Sequence, residues 1–215
     1  MIISLHGFSR TLLPSYLVSY VPSWIHQLFK VATQTNYRPI TVVPAINNVF
    51  EKLLTIQLNF YFNGILADNL SAYRKHHSCQ TALLRLVEDW KDCPDKNLLV
   101  AVISTDLSKA FDRLPHNLLP AKLKVYGLNK PACTLRGNFL HKRQQRVKID
   151  DTFSPWMSLT RGVPQGSVLS PLLFNIFIND LFYFVRHARL NMYADDQQIY
   201  DSDKDPMTLH FRMEN

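Results

Sequence analysis

One stretch constrains this chain more than any other. Leu98-Leu99-Val100-Ala101-Val102-Ile103 is an unbroken apolar run with β-branched members, and it leads straight into Ser104-Thr105-Asp106. A continuous apolar run, rather than an alternating one, predicts a strand covered on both faces. A carboxylate at the end of such a strand does not serve the core, because burying an unpaired charge is costly. Asp106 is therefore a candidate functional residue. The chain has 215 residues, 47% of them hydrophobic, enough for a real core in one domain of ordinary size, or in one domain with a subdomain inserted.

Helical spacing appears on the N-terminal side of that strand. Ile46, Val49, Phe50, Leu53, Leu54, Leu58, Tyr61 and Phe62 recur as one apolar stripe, and Asn63-Gly64 ends it. Cys79, Ala82, Leu83, Leu86, Val87 and Trp90 form a second. Both read as ordinary core stripes. Ser170-Pro171 is a helix start, with Ser as cap and Pro at the first helical position. The helix after it, Leu172 to about Val185, is apolar nearly all round and predicts burial. Before it stands Arg161-Gly162-Val163-Pro164-Gln165-Gly166-Ser167, whose two glycines let the backbone approach a ligand closely. Leu190 to Tyr200 reads as two short strands flanking a hairpin tip formed by Asp195-Asp196. Residues 1 to 33 carry no sustained period, and no function is assigned to them.

The formal net charge is +7, which suits a polyanionic partner because Lys and Arg neutralise phosphates and release counterions. Arg136, Lys142, Arg143, Arg146 and Lys148 cluster within thirteen residues. Two readings fit them: a solvated face, or a face that tracks a phosphate backbone. The three cysteines have no CxxC spacing, so neither a disulfide framework nor a zinc site is expected. The apolar stretch from Leu12 to Ile25 is short and broken by Pro and Ser, which predicts no membrane span and no membrane partner.

If Asp106, Asp195 and Asp196 converge, they repel: two unit charges about 4 Å apart cost on the order of 4 kcal/mol at an effective dielectric near 20. A fold that gathers them needs counter-cations, and hard carboxylate oxygens select Mg²⁺ or Mn²⁺. Two such ions suit an in-line phosphoryl displacement.

The motifs here resemble those of a known family. Tyr193-Ala194-Asp195-Asp196 is similar to the YxDD box of reverse transcriptases. Asp106-Leu107-Ser108-Lys109-Ala110-Phe111-Asp112 resembles the first catalytic-aspartate motif of the non-LTR (LINE-like) retrotransposon enzymes. Arg161 to Pro171 resembles their GVPQGSxLSP motif, and Phe174 to Leu181 continues it. Asn36-Tyr37-Arg38-Pro39-Ile40, with Phe50-Glu51-Lys52-Leu53-Leu54, resembles the first fingers motif. Ser71-Ala72-Tyr73-Arg74-Lys75, with Ser78, resembles the second. All occur in the family's order, over roughly residues 34 to 205.

The resemblance implies an α+β fold: a polymerase palm, built as an antiparallel sheet backed by helices, with a fingers subdomain and no thumb. Fingers would come from about 34–96 and 128–158, and palm from about 97–127 and 159–205. It implies RNA-directed DNA polymerisation with two Mg²⁺ (or Mn²⁺) ions, an RNA template with a DNA primer, and dNTP. The location would be intracellular, nuclear or cytoplasmic. Asp106 and Asp195 would hold the metals, Asp196 would support them, and the Leu107 carbonyl would add a ligand. Phe111 would be the steric gate under the sugar, with Gln165 and Gly166 near the incoming nucleotide. Arg74 and Lys75 would grip the triphosphate. Arg38, Lys142, Arg143, Arg146 and Lys148 would contact nucleic acid. Asp112 and Asp180 would be structural.

Two departures matter. The family usually has Gly in the second fingers motif, where this chain reads Arg74-Lys75-His76-His77-Ser78, so a turn there that needs positive φ would be strained. The resemblance also stops soon after the YxDD box, which implies little activity for this chain alone. A non-catalytic nucleic-acid-binding remnant is the alternative. An RNA-dependent RNA polymerase is a third reading, weakened by Phe111.

Overall fold

The computed structural model describes residues 2–6, 40–129, 139–140, 143–149 and 151–214. The expectations for Arg38, Lys142, Arg136 and the stretch Leu12 to Ile25 lie outside the described residues. The chain folds as two compact units, residues 1–58 with 111–171, and residues 59–110 with 172–215.

The first unit holds a mostly antiparallel sheet. Its strands are β1 (Ile2–His6), β2 (Ile40–Val42), β4 (Gln144–Ile149), β5 (Thr152–Phe153) and β6 (Met157–Ser158). β1 pairs with β2 in parallel and with β4 antiparallel, and β4 also pairs with β5 and β6. The second unit holds an antiparallel sheet ordered β3 (Leu99–Asp106), β8 (Asp196–Asp203), β7 (Arg189–Tyr193). Helix α2 (Cys79–Asp95) packs against this sheet. Its start is fixed by a capping box. Ser78 Oγ accepts the Thr81 N–H at 3.1 Å, and Thr81 Oγ1 accepts the Ser78 N–H at 2.8 Å. Among the described residues no helix is long and apolar enough to cross a membrane.

Four expectations about burial need correction. β3 is not covered on both faces: Val102 and Ile103 are each 41% exposed, and Asp106 is exposed. Among the described residues it is an edge strand that pairs with β8 alone, so its apolar character reflects β propensity and one-sided contacts rather than enclosure. Helix α1 (Ala45–Phe62) forms where expected, but Ile46, Val49, Leu53 and Tyr61 are exposed. The face turned inward runs Glu51, Thr55, Leu58, Phe62, at i, i+4, i+7 and i+11 spacing. Glu51 is drawn in because it finds three donors there. Helix α5 (Ser170–Ile178) starts as predicted and buries Leu172, Leu173, Phe174 and Ile176, yet it does not reach Val185. A separate short helix, α6 (Leu181–Phe184), follows, and Tyr183 and Phe184 are exposed.

The break at Asn179 has a cause in hydrogen bonding. Its Oδ1 accepts the Ala67 N–H at 2.7 Å and its Nδ2 donates to the Ile65 carbonyl at 3.3 Å. One turn earlier, Asn175 Nδ2 donates to the Ala72 carbonyl at 2.7 Å. Two buried amides thus satisfy the irregular backbone between α1 and α2. In α2 the inward stripe is Ala82, Leu86 and Cys93, whereas Cys79, Leu83 and Val87, expected inside, are exposed.

The remaining helices are short: α3 (Ala110–Arg113), α4 (Leu118–Val125) and α7 (Pro206–Glu214). Helix α7 is tied to β8 by Arg212, whose guanidinium pairs with both Asp201 and Asp203.

The suspected strain in the second fingers motif is present. His76 has φ +65° and Tyr73 φ +59°, left-handed backbone that disfavours a Cβ. Replacing His76 by Gly is expected to stabilise the chain by about 1 kcal/mol by releasing that strain, less the extra entropy glycine brings to the unfolded chain. A thermal melt of His76→Gly that shows no upward shift would count against this account.

Candidate active site

The three aspartates all belong to the second unit, on its three-stranded sheet. β3 and β8 pair over their full length, and the last pair in the register is Asp106 opposite Asp196. Directly opposed residues of an antiparallel pair project to the same side of the sheet, with Cα atoms about 5 Å apart. Both side chains are exposed. The tip of the hairpin is Ala194-Asp195 rather than Asp195-Asp196: β7 ends at Tyr193, β8 begins at Asp196, and these two residues pair. A two-residue turn requires positive φ at its first position, which Ala194 supplies at +58°. Asp195 is anchored through its backbone, since its carbonyl accepts the Leu107 N–H at 3.1 Å. The Leu107 carbonyl, expected to face a metal, accepts the Ala110 N–H at 3.1 Å and has one lone pair left for another partner.

Strand register therefore places Asp106, Asp195 and Asp196 at one end of one sheet. Among the described residues no group of three His, Cys, Asp or Glu side chains is gathered as a metal site. Carboxylates alone have every reason to splay: at about 5 Å and an effective dielectric near 20, each pair repels by about 3 kcal/mol. The donor set itself, oxygens only and anionic, fits a hard divalent cation.

In the first unit the loop Arg161–Ser167 is stitched to the chain after the catalytic-aspartate motif. Val163 N–H donates to the Phe111 carbonyl at 2.8 Å, and Gly162 N–H to the Leu114 carbonyl at 2.7 Å. Gln165 Nε2 donates to Asp112 Oδ1 at 2.8 Å, and the Gln165 carbonyl accepts the Thr41 N–H at 2.7 Å. Asp112 thus accepts from a side chain of the loop. Gly162 (φ +86°) and Gly166 (φ +108°) are required, but by the protein itself. A Cβ would meet the Asp112 carbonyl oxygen at 2.8 Å in the first case and the Thr41 carbonyl oxygen at 2.8 Å in the second.

Glu51 completes this arrangement and was missed as a site residue. Its Oε2 accepts Ser167 Oγ–H at 2.6 Å, the Val168 N–H at 2.9 Å and the Leu169 N–H at 3.5 Å, just ahead of α5. No local signal marked it, because Glu51 lies outside the apolar stripe expected for this helix and reads as a surface residue.

The cations divide by environment. Arg74 donates to the Ala67 and Leu70 carbonyls at 2.5 and 3.0 Å, and burial pushes its pKa down. Lys75 is exposed. Arg143 is buried; it donates to the Phe139 carbonyl at 3.1 Å and lies over the Phe139 ring, so the expected contact with a phosphate backbone does not suit it. Arg146 and Lys148 lie on β4 beside aromatic rings.

Comparison with known proteins decides the family. Residues 29–213 match the reverse transcriptase (RNA-dependent DNA polymerase) family. The chain belongs to it. This reverse transcriptase chain is 31% identical over 176 residues to a probable RNA-directed DNA polymerase from transposon BS of Drosophila melanogaster, covering 75% of the chain and 19% of that relative. It is 32% identical over 162 residues to the corresponding protein of the X-element of the same fly, covering 74% of the chain and 18% of the relative. The chain thus spans less than a fifth of these curated relatives. Its fold is similar to part of a telomerase from Candida tropicalis, with a TM-score of 0.53 at 16% identity, over 86% of this chain and 31% of that one. The α+β fold with palm and fingers, and the likeness to non-LTR elements, are as the motifs implied.

Two outcomes follow from these contacts. Glu51→Ala leaves the Ser167 hydroxyl and the Val168 N–H without their acceptor, at about 1–3 kcal/mol each before relaxation, while the Leu169 N–H keeps Ser167 Oγ at 3.2 Å. A urea midpoint within error of the wild type would contradict the buried-acceptor role. In the second unit, Tyr200 donates its hydroxyl to Asp89 Oδ2 at 2.5 Å, and Arg189 pairs with Asp89 at 3.1 Å. Burial, aided by that hydrogen bond, raises the Tyr200 pKa from 10.0 to about 12. Its folded pKa lies above the unfolded value, so its contribution is complete below pH 10 and is lost as pH rises toward 12. Tyr200→Phe is expected to lose less stability than wild type between pH 10 and 12, measured by denaturant midpoint.

Proposed function

We propose that this chain carries the nucleotidyl-transfer centre of an RNA-directed DNA polymerase, acting on an RNA template, a DNA primer and dNTP. The observation that carries the reading is the register of β3 on β8, which sets Asp106 opposite Asp196 with Asp195 fixed in the adjoining turn. These three carboxylates would hold two Mg²⁺ or Mn²⁺ ions, with Asp106 and Asp195 as main ligands, Asp196 in support and the Leu107 carbonyl as a further oxygen. Bound there, such ions neutralise charge that develops on phosphoryl oxygens.

The chain's own groups do the rest. Phe111 acts as the steric gate that disfavours a 2′-hydroxyl. Gln165 faces the nucleotide with its amide oriented: Asp112, an acceptor, takes an N–H and turns the Gln165 Oε1 away from itself. Gly166 keeps the loop thin where it crosses Thr41. Arg74 holds the turn through the Ala67 and Leu70 carbonyls, which leaves the exposed Lys75 for the triphosphate. Arg146 and Lys148, with Arg38 and Lys142, serve nucleic-acid contact. The palm would take residues 97–127 and 159–205, the fingers 34–96 and 128–158.

A second reading, nucleic-acid binding without catalysis, draws on the β4 cations Arg146 and Lys148 and needs none of the acids. Divalent-ion titration separates the two. Under the catalytic reading, single-nucleotide incorporation on an RNA template appears with Mg²⁺ or Mn²⁺. It falls at least about a hundredfold in Asp195→Asn, as loss of a ligand worth several kcal/mol requires, while the melt is largely unchanged. Wild-type incorporation by Asp195→Asn would remove the role given to Asp195. Primer–template binding without incorporation at any ion concentration would favour the second reading.

A further inference from the structure

One surface of the first unit combines features that the polymerase chemistry does not use. Along β4, side chains alternate between faces, so Gln144, Arg146 and Lys148 share one side. Phe153 of β5 lies directly opposite Lys148 and therefore stands on that side too. The Arg146 guanidinium sits over the Phe153 ring at 3.9 Å and over the Trp156 ring at 4.6 Å, and Lys148 Nζ is 5.4 Å from the Phe153 ring centre. A cation is thus layered against two aromatic rings. The rings are not core: Phe153 is 38% exposed and Trp156 39% exposed.

We propose that this Phe153–Arg146–Trp156 layer is a stacking platform for unpaired bases of a single-stranded RNA. The inference rests on the nucleic-acid partner given above and adds to it the strand type and two aromatic residues that charge alone does not mark. Three properties support it. Aromatic faces and a planar guanidinium offer π-surfaces that accept any base, which suits a template read without sequence preference. Arg146 places positive charge where a strand's phosphates would run, and Lys148, partly offset by Asp151 at 4.0 Å, adds to it. Gln144, exposed on the same side, adds an amide donor and acceptor for sugar or base edges. A duplex keeps its bases stacked on one another and cannot use the rings, so the platform discriminates single strands from double ones.

The competing explanation is that the layer only stiffens the hairpin, and the test is built to separate the two. Binding of the full 215-residue chain to a labelled single-stranded RNA of mixed sequence, and to a blunt RNA duplex, is followed by anisotropy over a series of salt concentrations. Trp156→Ala and Phe153→Ala are each expected to weaken single-strand binding about tenfold, in line with the loss of one stacked base. Duplex affinity and the slope of affinity against salt should stay as in wild type. Trp156→Phe, which keeps a ring, should stay within about threefold and guards against misfolding in the alanine variants. Arg146→Gln should lower the salt slope by about one phosphate's worth. Unchanged single-strand affinity in both alanine variants, or equal losses for single strand and duplex, would overturn the platform alone. A wild-type chain that binds neither RNA form would overturn the nucleic-acid reading and the platform together.

Discussion

Everything in the second unit depends on one pairing. β3 and β8 run antiparallel in a register that ends on two aspartates, Asp106 and Asp196. Placing like charges at the same level of adjacent strands is unfavourable, and a one-residue slip would send the two carboxylates to opposite faces. The register holds because other terms outweigh the repulsion. β8 is bonded on its other edge to β7, Tyr200 is anchored to Asp89 on α2, and Arg212 of α7 clamps the far end of β8 through Asp201 and Asp203. Each of these fixes β8 lengthwise, so the acids at its start have no freedom to move apart along the strand.

The first unit solves a different problem, how to hold a glycine-containing loop in one shape. Gly162 and Gly166 sit where the backbone of Asp112 and Thr41 leaves no room for a side chain. Glu51 gathers the end of that loop at the start of α5. A buried carboxylate is a costly element to build; here Oε2 takes three donors, while Oε1 has no partner among the described residues. The Asp112–Gln165 bond then orients an amide that would otherwise have two equivalent settings.

Much of this was legible in the residues. The start of α5 at Ser170 and the end of α1 after Phe62 follow from local capping and turn chemistry, which acts over three or four positions; the hairpin between Leu190 and Tyr200 was also expected, but with its tip one residue further on. Strain at His76 was readable for the same reason, since positive φ is a local demand. Burial was not. Ile46, Val49 and Leu53 look like core and are exposed, while Glu51 looks like surface and is enclosed. An apolar strand such as β3 carries no mark that it will stand at a sheet edge.

The sequence by itself determined the family, through ordered motifs, and the local signals for where helices and turns begin and end, because these need only neighbours in the chain. Which acids stand opposite each other and which helix face turns inward were decided by tertiary structure alone. Those outcomes depend on partners a hundred or so positions away, as Glu51 and Ser167 are, and a hydrogen bond between distant residues leaves no trace in either one's neighbourhood.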